Sequence, residues 1–86
     1  MNRFFDLILL CGLLMEGRMT EEEKKTMLQR DFHDLTPCQW QKDLLANSIL
    51  EEDDELYRMF WRAGIFDTEE MTKIVLEYWY LYHRTK

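Results

Sequence analysis

FFDLILLCGLLM, residues 4–15, decides how the rest of the chain can fold. Ten of its twelve residues are apolar, in a chain that is 33% charged overall. Four readings compete for it: a membrane span, a signal peptide, a core helix or a docking surface. A spanning helix needs about 20 apolar residues to cross the hydrocarbon layer. This run ends at Glu16 and carries Asp6 inside it. A signal peptide places small residues before its cleavage site, whereas MEGRM, residues 15–19, follows here. A lipoprotein signal would need a small residue before Cys11, and Leu10 stands there. The expectation is therefore a cytoplasmic protein that keeps its N-terminus and has no membrane segment.

Two readings remain, the central helix of a bundle or a subunit contact, because apolar side chains cover the full turn of this helix. Asn2, Arg3, Asp6 and Glu16 mark its wet edge. Leu7, Leu10 and Leu14 are expected in the core. Phe4 and Ile8 are the positions whose burial would depend on a second chain.

The chain has 86 residues, enough for one domain, 1–86. A domain of this size buries roughly 60–65% of the surface its unfolded chain exposes. With 47% hydrophobic residues, three Gly and one Pro, the composition excludes a disordered chain. Aromatic residues make up 14%, more than one small core readily hides. Acidic residues outnumber Lys and Arg 17 to 11, for a net charge of −6. Direct nucleic acid binding, which runs on clustered cations, is disfavoured. A protein partner with a basic surface is favoured instead. Two cysteines, Cys11 and Cys38, do not make a disulfide framework and read as reduced thiols.

No segment alternates with period two, and five carry helical punctuation. The reading is all-α: a compact single-domain bundle of four to six short helices at about 3–15, 20–34, 37–49, 53–63 and 68–84. Gly17 is the expected C-terminal cap of the first. TEEE, residues 20–23, predicts a capping box of Thr20 with Glu23 at the start of the second, whose apolar positions are Leu28, Phe32 and Leu35. TPCQ, residues 36–39, predicts Thr36 as cap, Pro37 at the first helical position and Gln39 completing a box. Trp40, Leu44 and Ile49 or Leu50 would face inward. The fourth helix starts in EEDDE, residues 51–55, buries Leu56, Met59, Phe60 and Ala63, and stops at Gly64. The fifth is capped by Asp67 or Thr68 and buries Met71, Ile74, Val75, Tyr78, Trp79 and Tyr82. Short connections make neighbouring helices pack as hairpins or corners.

Chemistry finds little purchase, and no enzyme and no cofactor are expected. His33, His83, Cys11 and Cys38 lack the locally paired spacing of zinc ligands. EEDDE lacks the alternating ligands and central Gly of a calcium loop. A Cys38–His33 nucleophilic pair has no third orienting group, and the isolated glycines make no phosphate loop. A helix-turn-helix would point an acidic helix start at phosphates.

What is left over is apolar surface. Tyr57 and Trp61 lie four apart on a face of the fourth helix away from its core stripe, beside Arg58 and Arg62. Leu76 and Tyr80 lie beside the main stripe of the fifth. These six are the candidate partner-binding residues, of types that carry binding hot spots. Glu51, Glu52, Asp53 and Asp54, together with Glu21, Glu22 and Glu23, are candidates for steering a basic partner or for mimicking nucleic acid phosphates. In acidic composition and helix count alone, the chain resembles phage-encoded inhibitors of host transcription, replication or defence machinery. That resemblance implies a regulator working by protein–protein binding. The alternatives are a structural homodimer, paired through the first helix or through the fourth and fifth, and a small DNA-binding helical domain.

Overall fold

A computed structural model describes residues 3–46 and 55–85. The described residues form five α-helices and no strand: α1 (Arg3–Glu16), α2 (Glu21–Gln29), α3 (Gln39–Leu44), α4 (Glu55–Arg62) and α5 (Thr68–Arg84). A 3-10 turn, Phe32–Asp34, lies between α2 and α3. The expected all-α class holds. The radius of gyration, 12.3 Å, matches the ~12 Å of a single compact chain of this length.

The central helix is α5, not α1. It packs against α1, α2 and α3, and α1 also packs against α4. Enclosure on several sides explains why α5 buries two adjacent rows: Met71, Val75 and Trp79, and beside them Thr72, Leu76 and Tyr80. Ile74, Tyr78 and Tyr82, expected in the stripe, are only half-buried.

In α1 the buried positions are Ile8, Cys11, Gly12 and Met15, the i, i+3, i+4, i+7 pattern of one helical stripe. Two expectations are overturned here. Ile8 is buried within the single chain, while Leu10 and Leu14 are 52% and 55% exposed. The stripe follows fit rather than hydrophobicity. Gly12 presents no side chain, and a Cβ there would stand 3.0 Å from Trp79 Cβ and 3.5 Å from the Val75 carbonyl oxygen. That absence lets α1 settle onto the bulky indole of α5. Phe4 meets Phe60 of α4 edge-on at 5.2 Å. Arg3 adds a bidentate pair to Glu55, both bonds 2.7 Å.

Helix starts follow side-chain capping. The Thr20–Glu23 box is present in both directions, each bond 3.0 Å, and Asp67 accepts from the Glu69 N–H at 3.1 Å. The third helix begins later than expected. Thr36 and Pro37 lie outside the helix and Cys38 is the cap, its N–H bonded to Gln41 Oε1 at 2.9 Å. A residue before proline is pushed out of the helical region, so Thr36 is displaced as cap and Gln41 replaces Gln39. Gln41 is fully buried, its amide also reaching Met27 Sδ. Trp40 and Leu44 are half-buried, and Leu45 fills the core beside them.

The expected helix over 20–34 breaks after Gln29. Arg30 is extended, and its carbonyl accepts from the Tyr80 hydroxyl at 2.5 Å instead of continuing the ladder. The break swings Leu35 into the core, while Met27 rather than Leu28 is the buried residue of α2. Helix ends divide between two glycines. Gly17 follows α1 in an ordinary turn, without the left-handed conformation of a cap. Gly64 adopts φ 86°. It ends α4 in a Schellman arrangement, with Ile65 N–H to Phe60 O at 2.9 Å and Gly64 N–H to Trp61 O at 3.1 Å. Ala63, expected inward, is exposed at this turn.

Candidate functional site

The α4 surface is built by a short amphipathic helix. Leu56 and Phe60 anchor it in the core, which turns Tyr57, Trp61, Arg58 and Arg62 outward. Trp61 is 48% exposed, Tyr57 half-buried, and both arginines are exposed. Tyr57 and Trp61 lie 6.1 Å apart between ring centroids. Phe66, 56% exposed, closes the cluster against Trp61 at 4.6 Å in an edge-to-face arrangement. Four of the six expected partner-binding residues thus share one surface. Phe66 belongs with them and was not anticipated. It sits beyond the Gly64 turn, outside any helical periodicity, so only the tertiary path of the chain returns it to Trp61.

Leu76 and Tyr80 do not belong to that surface. Leu76 is fully buried and Tyr80 nearly so, Tyr80 with its hydroxyl on Arg30 and the Arg84 guanidinium over its ring at 5.2 Å. Enclosure of α5 by three helices consumes both rows, which removes these two residues from partner binding. Of the acidic candidates, Glu51, Glu52, Asp53 and Asp54 lie outside the described residues. Glu23 is held in its capping box, and Glu21 lies 3.6 Å from Lys24.

A second apolar surface runs between α1 and α5. It is a shallow groove of about 390 Å³ lined by Phe5, Asp6, Leu9, Tyr78, Leu81, Tyr82 and Thr85. Phe5 packs edge-on against Tyr78 at 5.3 Å.

A part-buried titratable cluster joins the C-terminal ends of α1 and α5. Glu16 Oε1 accepts the Trp79 Nε1 hydrogen at 2.8 Å and a hydrogen bond from His83 Nε2. Burial alone would push the Glu16 carboxyl up, but the two hydrogen bonds and the nearby His83 and Lys24 charges outweigh it. The carboxyl is held below the usual range. A buried indole N–H needs an acceptor. 

Glu16 supplies it for Trp79. The arrangement ties the end of α1 to α5. No sequence pattern announced it, since Glu16 and His83 are 67 positions apart.

Neither cysteine forms a disulfide, and Cys11 is buried while Cys38 is exposed. Among the described residues, no three His, Cys, Asp or Glu side chains converge on a point that could hold a metal, and no helix is long and apolar enough to cross a membrane. No protein-family model matches the chain, and neither a curated protein nor a solved structure matches it.

Proposed function

We propose that this chain is a small acidic, non-enzymatic regulator that acts by binding another protein through α4. The observation that carries the reading is the exposed cluster of Tyr57, Trp61 and Phe66 bordered by Arg58 and Arg62. Large aromatic side chains left half in water cost free energy that a partner's surface recovers. Tryptophan, tyrosine and arginine are also the types that dominate interface energetics. The net charge of −6 favours approach to a partner that is basic around the contact. A basic nucleic-acid-handling or defence protein, inhibited by occupation of its surface, is the target class this balance suits best.

The test is a double variant, Trp61→Ala with Phe66→Ala, used as bait beside the wild type. Exposed positions change stability little, within about 0.5 kcal/mol for ordinary surface sites, so circular dichroism and the melting temperature should stay close to wild type. Capture of the partner should fall at least tenfold, the equivalent of ~1.4 kcal/mol. A folded double variant that captures the same partner equally well would sink the reading. Tight binding of the wild type to mixed-sequence duplex at low salt would replace it with the DNA-binding alternative, because nonspecific affinity is greatest there.

A further inference from the structure

The outward side of α1 carries a ridge of four residues spaced four apart: Asp6, Leu10, Leu14 and Arg18. Helical neighbours four apart lie on adjoining parts of one face, and Arg18 is exposed in the turn directly after the helix. All four are exposed. Half-buried Leu7 and Leu13 widen the apolar strip on either side. Asp6 and Arg18 take part in no ion pair among the described residues. Arg3 lies close enough to feel the Asp6 charge, but two leucines more than half in water, between an acid and a base in no salt bridge among the described residues, form an unfinished contact.

The order acid, leucine, leucine, base is its own complement when reversed. Laid antiparallel on a second copy, with a two-fold axis between Leu10 and Leu14, the ridge sets Leu10 against the partner's Leu14. The same operation sets Asp6 against the partner's Arg18, and each contact occurs twice, as a two-fold interface requires. A parallel arrangement would oppose Asp6 to the partner's Asp6 and expose both charges to repulsion. We infer that α1 is a homodimerisation helix that pairs antiparallel with α1 of a second copy of this chain. Charge complementarity selects that occupant, because neither a lipid surface nor an unrelated protein calls for this palindromic order. The interface uses none of the α4 residues. A contact one helix long lies at the small end of specific interfaces, so the dimer is concentration-dependent.

Sedimentation equilibrium on the full chain, over a micromolar to near-millimolar series at low salt, reads the outcome. The mass should rise from 10.6 kDa toward twice that value. Asp6→Arg and Arg18→Asp should each be monomeric. Their equimolar mixture should recover the dimer, since the introduced guanidinium then faces the introduced carboxylate. Leu10→Glu with Leu14→Glu should be monomeric with unchanged helix content. A wild type that stays monomeric throughout overturns the proposal and leaves the ridge to a lipid surface or a different protein. A dimer that survives all the variants, or a mixture that fails to reassociate, overturns it as well, by placing the interface elsewhere or in another geometry.

Discussion

At Gly12 the backbone of α1 comes close enough to α5 that one added carbon would meet Trp79 Cβ at 3.0 Å. Trp79 Cβ is fixed to its own backbone and cannot swing aside. Alanine would gain about 1 kcal/mol of helix propensity over glycine. Overfilling a packed contact costs about 1–3 kcal/mol, so Gly12→Ala should be destabilising on balance. For a domain of this size a net loss of 1 kcal/mol lowers the melting temperature by roughly 4–8 °C, which differential scanning calorimetry would resolve. A higher melting temperature would show that the two helices can part at no cost. The same residue explains why the buried face of α1 was hard to read. With leucine on nearly every side, hydrophobicity chose no face, and the decisive signal was a gap opposite an indole 67 positions away. Leu10 and Leu14 were misjudged as core for that reason.

Elements were more legible than faces. The span of α5 and the start of α2 follow from local capping chemistry that needs no knowledge of the fold, as the Thr20–Glu23 box shows. Boundaries set by tertiary contacts were not legible. The end of α2 depends on Tyr80 claiming the Arg30 carbonyl, and no local rule reveals a partner 50 positions on. Between elements, the Glu16 contact makes a prediction about acid. The folded state holds this carboxyl below its ordinary range, so the unfolded chain takes up the proton first as pH falls. The stability it contributes is therefore complete at neutral pH and drains away from the ordinary carboxylate range downward. Glu16→Gln, whose amide oxygen can still accept from Trp79, should lower the urea midpoint at neutral pH and flatten its decline toward about pH 4. The Arg3–Glu55 pair, with its carboxyl also held low, leaves a residual slope in the same direction. An unchanged profile in the variant would remove the role assigned to Glu16.

For the whole molecule, the all-α class could be read directly from punctuation and periodicity, and the surplus of aromatic surface could be read from composition. Which residues make up that surplus could not. Leu76 and Tyr80 were drawn inward because one helix is enclosed by three others, and Phe66 was added because a left-handed Gly64 folds the chain back on α4. Both outcomes are properties of the assembled bundle, which explains why two of the six expected binding residues lie in the core while an unexpected one completes the surface.

The two cysteines divide along the same line between inside and outside, and this gives the molecule a built-in chemical clock. Cys38 stands in water at the start of α3, whereas Cys11 is 1% exposed beneath α5. A thiol reagent in excess should therefore modify one equivalent promptly and leave the second until α1 lifts away. The slow phase times the opening of the α1–α5 contact, and its rate should rise in Gly12→Ala. Two equivalents reacting together in the native protein would contradict the burial of Cys11. Because the fast site is single, a dye or spin label placed there reports on the intact protein without touching either α1 or α4.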